Sequence, residues 1–182
     1  VCYQLRAWQI HFNLPNLRAN INLSNIQFER EDMVDKIVQI FDSTGISPQS
    51  LRFELTESML MKNSSPIVTA MQQLRQFGVQ FHLDDFGQGY SSLSVLHKLP
   101  IDALKIDYTF IKKITTDKSS LAIVKTIMAL ANSLNISCVA EGIETQDQLQ
   151  QLTALGCELG QGYFFSKPLM ASAVESFLPG KA

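Results

Sequence analysis

Short segments typical of β-strands alternate with segments of helical periodicity along most of the chain. Runs rich in β-branched and aromatic residues indicate strands when turn residues bound them. Six segments have this character: Leu17–Leu23, Leu51–Thr56, Val79–Asp84, Ala103–Asp107, Ile136–Glu141 and Leu159–Tyr163. Strand–helix alternation of this kind predicts an α/β protein with a parallel sheet, either open or closed into a barrel.

Apolar residues at helical spacing lie between the predicted strands. Three helices are predicted from the apolar sets Val34, Ile37, Val38 and Phe41; Ile67, Met71 and Leu74; and Leu121, Val124, Ile127, Met128 and Ala131. Ser65 and Pro66 predict a cap and a first-position proline for the second helix. Thr145 and Gln148 predict a capping box ahead of a fourth helix.

Side-chain alternation within the strands favours a barrel over an open sheet. In Leu51–Thr56, Phe53 and Leu55 point to one face and Glu54 points to the other. An open doubly wound sheet buries both faces and favours continuous apolar runs. Polar residues at strand ends instead fit a barrel whose carboxyl-terminal mouth holds the chemistry. We therefore predict a TIM-like (β/α)8 barrel, of which this chain supplies about six of the eight βα units.

Charge and cysteine content narrow the possible partners and the compartment. Fifteen basic residues against seventeen acidic ones give a formal charge of −2, and no basic run stands out. This argues against a protein that binds duplex nucleic acid or a membrane surface by charge. The three cysteines (Cys2, Cys138 and Cys157) form no C-x-x-C pair, which is typical of free thiols in a reducing compartment. We expect a cytoplasmic domain, whether or not a parent protein has membrane spans elsewhere.

Polar residues at or near the ends of the predicted strands are candidates for catalysis. They are Asn22, Glu54, Asp84, Asp85, Lys105, Glu141 and Gln161. In a barrel these positions converge at one mouth. Carboxylate and amide oxygens without cysteine ligands suit Mg²⁺ or Mn²⁺. Two such cations sharing a carboxylate could hold the attacking and leaving oxygens of an in-line phosphoryl displacement.

Seven ordered motifs identify a family resemblance that covers almost the whole chain. They are Asn22-Leu23-Ser24, Glu54-Leu55-Thr56-Glu57, Asp84-Asp85-Phe86-Gly87, Gly89-Tyr90-Ser91-Ser92-Leu93, Leu104-Lys105-Ile106-Asp107, Ala140-Glu141-Gly142-Ile143-Glu144 and Gly160-Gln161-Gly162-Tyr163. In order and spacing they resemble the EAL-domain family of cyclic di-GMP phosphodiesterases. This resemblance implies hydrolysis of cyclic di-GMP to linear 5′-pGpG by a two-metal in-line attack of water.

The resemblance also implies roles for individual residues. It implies two divalent cations, Mg²⁺ or Mn²⁺, held by a ligand set of Asn22, Glu54, Asp84, Asp85 and Glu141. Asp84 is expected to bridge the cations and Asp85 to serve the second one. Lys105 is expected to hold and polarise the hydrolytic water, and Gln161 to help orient that water or a metal-bound oxygen. Lys105, Glu141 and Gln161 are therefore the implied catalytic residues.

A loop and its anchor complete the implied site. Glu57 resembles a glutamate that anchors the loop Phe86–Ser92, in which Gly87 and Gly89 permit backbone conformations closed to other residues. Glu144 resembles a glutamate with a structural role. The family resemblance further implies a homodimer, fused in its parent protein to sensor or GGDEF-type domains.

The sequence departs from the family at its start. The Glu-Ala-Leu triplet occurs nowhere in the 182 residues. We interpret residues 1–182 as a single partial domain without two strands, one metal-ligating glutamate and one ligand-contacting arginine. On this interpretation, the isolated chain is expected to be inactive and to bind cyclic di-GMP weakly at best.

Two other functions are compatible with parts of this pattern. A non-catalytic cyclic di-GMP receptor of the same fold would be indicated by a parent sequence without Glu-Ala-Leu. A different barrel enzyme that uses carboxylates and lysine, such as an enolase-like lyase, would act on sugar acids. The ordered motif set makes the lyase improbable. The remaining site residues are intact, whereas a decayed receptor would have lost several ligands, and the residues preceding Val1 would discriminate the receptor from the enzyme.

Overall fold

Six strands and a series of helices follow one another in the order that the sequence predicts. The computed structural model describes residues 1–28, 30–62, 64–89 and 96–179. The strands are β1 (Ala19–Asn22), β2 (Leu51–Thr56), β3 (Gln80–Phe86), β4 (Ala103–Ile106), β5 (Ser137–Ala140) and β6 (Leu159–Gly160). The helices are α1 (Cys2–His11), α2 (Asn25–Phe28), α3 (Met33–Thr44), α4 (Glu57–Lys62), α5 (Ser64–Arg75), α6 (Tyr108–Ile111), α7 (Lys118–Ser133), α8 (Gln146–Ala154) and α9 (Ala171–Val174), with 3-10 turns at Pro48–Ser50 and Glu175–Phe177.

The strands form a sheet in chain order, from β1 to β6. β1 pairs with β2, β3 with β4, β4 with β5 and β5 with β6, and each of these pairings is parallel. Parallel neighbours need crossover connections, which the intervening helices provide. The prediction of an α/β fold with a parallel sheet is therefore confirmed.

The chain divides into two compact units. The first comprises Val1–Glu54, Asn63–Gln80 and Pro168–Ala182. Its core includes Phe41, Leu51 and Leu74, each 6% exposed or less. Gln9 of α1 is buried in this unit, and its amide donates at 2.9 Å both to the Leu17 carbonyl and to the Ser50 hydroxyl. These two bonds satisfy a polar group whose burial would otherwise be costly.

The second unit comprises Leu55–Lys62 and Phe81–Lys167. All four residues of β4 are buried. Val124, Ile127, Met128 and Ala131 form the buried stripe of α7, as their spacing predicts. No helix among the described residues combines the length and apolar character that a membrane span requires.

Of the two helix caps predicted from the sequence, one is confirmed and one is wrong. The capping box is present: the Thr145 hydroxyl accepts from the Gln148 backbone N–H, and the Gln148 side chain accepts from the Thr145 N–H. The predicted cap at Ser65 is wrong because α5 already begins at Ser64. Pro66 instead lies inside the first turn, where its missing N–H would have no helical partner in any case.

The predicted ends of several strands also differ from those observed. β3 continues to Phe86 rather than ending at Asp84, whereas β6 ends at Gly160 rather than at Tyr163. Beyond β6 the chain bonds to the loop after β5 instead: Ile143 N–H donates to the Gln161 carbonyl at 3.0 Å, and Phe164 N–H donates to the Ile143 carbonyl at 2.9 Å. These loop bonds replace the sheet ladder.

Candidate active site

A β-bulge presents the two consecutive aspartates of β3. Leu83 is the register partner of Leu104, and Phe86 is the partner of Ile106, so Asp84 and Asp85 together oppose Lys105 alone. Asp85 has a φ of 54°, in the left-handed region that non-glycine residues rarely occupy. An extra residue of this kind bends a strand and redirects its side chains. The bulge therefore breaks the strict alternation that would place two consecutive side chains on opposite faces.

Asp84, Asp85 and Glu141 form an acidic cluster. Each offers a carboxylate oxygen, and these oxygens lie within 4.8 Å of one another. Glu141 directly follows β5, which pairs with β4, and β4 in turn pairs with β3. The cluster thus forms at the carboxyl ends of neighbouring parallel strands.

Lys105 lies between two of these carboxylates. Its ammonium Nζ is 2.9 Å from Asp84 Oδ1 and 2.6 Å from Glu141 Oε1, and the side chain is only 2% exposed. A buried ammonium needs such partners because desolvation of an isolated charge is costly. The structure therefore holds the Lys105 ammonium between two carboxylates of the acidic cluster.

Gln161, which directly follows β6, is hydrogen-bonded to Glu141 of the same cluster. Its side-chain Nε2 donates to Glu141 Oε1 at 2.6 Å, so this oxygen meets both the amide and the Lys105 ammonium. A hydrogen bond from a neighbouring amide fixes the orientation of a carboxylate. Gln161 is thus placed to orient Glu141.

Negative charge is in excess within the cluster. Burial raises the pKa of Glu141, and the Lys105 ammonium acts in the opposite direction. Burial is the largest cause of the raised pKa of Asp85, and the negative charges of Asp84 and Asp107 raise it further. Such shifts indicate that the carboxylates repel one another and that additional positive charge would stabilise their ionised forms.

Glu57 joins the end of β2 to the loop after β3. Its Oε2 accepts from the backbone N–H groups of Gly87 and Gly89, each at 3.3 Å. Gly87 has a φ of 104°, a backbone conformation that favours glycine. Position 89 requires glycine for a different reason, because there is no space for a side chain. A Cβ on Gly89 would lie 2.6 Å from Glu57 Oε1. The rest of this loop, which includes Ser91 and Ser92, lies outside the described residues, as does Leu93 of the same sequence motif.

Asn22 and Glu54 are neighbours in the first unit. They are register partners, Asn22 as the last residue of β1 and Glu54 two residues before the end of β2. Glu54 is 6% exposed, and its Oε1 accepts from the side-chain amide of Asn20 at 2.6 Å. The structure therefore brings Asn22 beside Glu54, but the observed side-chain bond comes from Asn20.

Glu144 has an exposed side chain, and its backbone takes part in the start of α8. Its N–H donates to the side-chain oxygen of Gln148 at 2.7 Å. This contact is structural and involves no side-chain oxygen of Glu144.

Asn20 and Asp107 were not among the predicted site residues. Asn20 lies two positions before Asn22, and period-two alternation would have placed both on one face of β1. Asp107 is 1% exposed, accepts from the N–H and hydroxyl of Thr109 as the N-cap of α6, and adds charge near Asp85. Asp107 lies two residues after Lys105, so period-two alternation would have placed both side chains on the same face of the predicted strand.

Known proteins are similar to this chain in sequence and in fold. The EAL domain family matches residues 1–168 of the chain. The chain belongs to the EAL domain family. It is 41% identical over 177 residues to the cyclic di-GMP phosphodiesterase NbdA of Pseudomonas aeruginosa, which covers 97% of this chain but 22% of NbdA.

Solved EAL structures have the same architecture. The PaMucR phosphodiesterase in complex with c-di-GMP matches with a TM-score of 0.90 and 38% identity, over 95% of this chain and 70% of that chain. A manganese/cyclic-di-GMP complex of BlrP1 from Klebsiella pneumoniae matches with a TM-score of 0.82 and 29% identity, over 92% of this chain and 42% of that chain. The predicted TIM-like α/β fold is confirmed by these likenesses.

Proposed function

We propose that the EAL domain to which these residues belong hydrolyses cyclic di-GMP to linear 5′-pGpG with the help of divalent cations. The observation that carries this proposal is the acidic cluster of Asp84, Asp85 and Glu141 around the buried ammonium of Lys105. Family membership supports the reaction class, since NbdA is a cyclic di-GMP phosphodiesterase and PaMucR was captured with c-di-GMP.

The donor atoms of the cluster fit Mg²⁺ or Mn²⁺. Three carboxylates offer hard oxygen ligands within 4.8 Å of one another, and these cations prefer such ligands. Bound there, a divalent cation would neutralise phosphate charge and lower the pKa of water. We propose that Asp84, Asp85 and Glu141 hold one cation, and that Asn22 and Glu54 are ligands of a second.

The chain's own residues then have distinct tasks. Lys105 holds and orients the attacking water, since its ammonium is fixed by two carboxylates and buried from bulk solvent. Gln161 orients Glu141 through its 2.6 Å hydrogen bond. Glu57 holds the loop after β3 through two backbone N–H groups. Positioning of this kind is the main contribution a protein makes to phosphoryl transfer.

The overall charge is consistent with a cation-dependent site. The chain has a formal charge of −2, and the cluster sets three carboxylates against one ammonium. A dinucleotide with two phosphates would be repelled from such a site without additional positive charge. Bound cations supply that charge.

The test is hydrolysis of cyclic di-GMP by the intact domain with Mn²⁺ or Mg²⁺, followed by chromatographic separation of the nucleotides. We expect 5′-pGpG as the product and loss of turnover in excess EDTA, restored by added cation. Undiminished turnover in EDTA would contradict the cation-dependent mechanism. Cation-dependent binding without turnover would instead identify a receptor.

The setting of the domain is a further part of the proposal. The chain spans about a fifth of the length of NbdA (22%), so we propose that it works within a longer protein that also carries sensor or GGDEF-type domains. A homodimer and a cytoplasmic location remain predictions from the sequence. Light scattering of the purified protein tests the first, and fractionation of the source cells tests the second.

A further inference from the structure

Two of the three cysteines meet where β5 and β6 pair. Cys138 lies within β5, and Cys157 lies two residues before β6. Val139 is the register partner of Leu159, which places the two cysteines diagonally across neighbouring strands. The sulfur of Cys157 lies 3.8 Å from the Cys138 carbonyl oxygen and 3.4 Å from the Leu159 carbonyl oxygen.

We propose that Cys138 and Cys157 form an oxidisable dithiol, a modification site that a hydroperoxide converts to a disulfide. Neighbouring strands lie about 4.8 Å apart, and Cys157 leads directly into β6 beside β5, so the backbone separation falls within the range that a disulfide spans. The site is separate from the acidic cluster and does not depend on the proposed hydrolysis. It nevertheless lies at the pairing of β5 and β6, the two strands that lead to Glu141 and Gln161.

The two thiols differ in acidity. The neighbouring Cys138 thiol lowers the pKa of Cys157, although burial and the nearby charge of Glu158 act in the opposite direction. The neighbouring Cys157 thiol, followed by burial, raises the pKa of Cys138. Because the thiolate is the nucleophile, Cys157 reacts first and Cys138 is the resolving thiol.

A small oxidant has a route to this pair. Cys157 lines a surface cavity of about 650 Å³, together with Gly156, Glu158, Leu159 and Phe165. Both cysteines are half-buried rather than enclosed. Partial exposure combined with thiolate character is the combination that makes cysteines sensitive to oxidation.

The chemistry balances with a hydroperoxide as the only oxidant. The Cys157 thiolate attacks the terminal oxygen, so that an S–O bond forms, the O–O bond breaks, and the alkoxide takes a proton and leaves as an alcohol. The Cys138 sulfur then attacks the resulting sulfenic acid, forming the S–S bond and breaking the S–O bond. The departing hydroxide takes the Cys138 proton and leaves as water.

Mass spectrometry of the whole chain tests the disulfide. The reduced protein is treated with cumene hydroperoxide, its remaining thiols are alkylated, and the protein is digested without reductant. We expect a linked peptide pair containing Cys138 and Cys157, which dithiothreitol separates. Cys138→Ser and Cys157→Ser should each abolish this pair, whereas the matched control Cys2→Ser should retain it. Oxidation of Cys157 to sulfinic acid with Cys138 still reduced would overturn the proposal.

A second measurement tests the contact between the thiols. At neutral pH, iodoacetamide should label Cys157 before Cys2, because burial raises the pKa of Cys2. Cys138→Ala removes the neighbouring thiol that lowers the pKa of Cys157 and should slow labelling of Cys157 on the order of tenfold. An unchanged labelling rate in Cys138→Ala, with circular dichroism like that of the wild type, would show that the thiols do not interact.

Discussion

Gln161 donates its side-chain amide to Glu141 across 2.6 Å, which joins the residue after β6 to the residue after β5. Backbone bonds between Ile143 and both Gln161 and Phe164 hold the same two segments together. The position of Glu141 therefore depends on a residue that lies in a different part of the sequence.

Loss of this amide should weaken hydrolysis without removing the cation site. We expect Gln161→Ala to lower kcat by roughly 10–100-fold, the range typical when the partner of a metal ligand is lost. The binding constant for Mn²⁺ should fall less than in a direct ligand variant. Gln150→Ala, on the exposed part of α8, serves as the control and should behave like the wild type. An unchanged kcat in Gln161→Ala would contradict the orienting role.

Neutralising either of two carboxylates should impair cation binding. We expect Asp84→Asn and Glu141→Gln each to weaken Mn²⁺ binding by about tenfold or more, because a charged ligand becomes a neutral one. Isothermal titration calorimetry measures this directly. The matched control Asp147→Asn changes an exposed carboxylate of α8 and should bind Mn²⁺ as the wild type does. Equal affinities in all four proteins would exclude the cluster as a cation site.

Lys105 should be needed for turnover but not for cation binding. Removing its charge relieves competition for Asp84 and Glu141, so Lys105→Met should retain Mn²⁺ affinity within about tenfold while losing most hydrolysis. Lys105→Met keeps more of the buried volume than Lys105→Ala, and a thermal melt checks that it folds. Lys112→Ala on the surface is the control. Wild-type turnover in Lys105→Met would show that its assigned role is wrong.

Glu57 should stabilise the loop after β3. Glu57→Ala leaves the N–H groups of Gly87 and Gly89 without this acceptor, at a cost of about 0.5–1.5 kcal/mol for each lost hydrogen bond. Glu57→Gln retains an acceptor oxygen and should lose less. Hydrogen exchange at the two glycine amides is the measurement: we expect the fastest exchange in Glu57→Ala. Identical exchange in all three proteins would argue against the anchor.

The capping box of α8 gives a stability prediction that is independent of function. Thr145→Ala should lower the free energy of unfolding by about 1 kcal/mol because the Gln148 N–H loses its acceptor. Thr145→Ser retains the hydroxyl and should lose less. Thr153→Ala, which removes an exposed hydroxyl bonded to the Leu149 carbonyl, is the control. Urea denaturation of the four proteins provides the comparison, and a Thr145→Ala value equal to the wild type would contradict the cap.

Local patterns in the sequence were sufficient for the order and type of the main elements. The bounds of β2 and the capping box at Thr145 were predicted correctly. The buried stripe of α7 was predicted correctly except at Leu121, which is half-buried. These features depend on residues within a few positions of one another, so period-two and helical spacing reveal them. The same alternation indicated which polar residues end the strands.

Only the tertiary structure decided how those polar residues meet. Alternation alone would place Asp84 and Asp85 on opposite faces of β3, but the bulge opposite Lys105 brings both into the cluster with Glu141. The contacts of Gln161 with Glu141 and of Cys157 with the Cys138 carbonyl likewise join segments that are distant in the sequence. Such contacts depend on strand register and on non-local backbone pairing, which no local periodicity specifies.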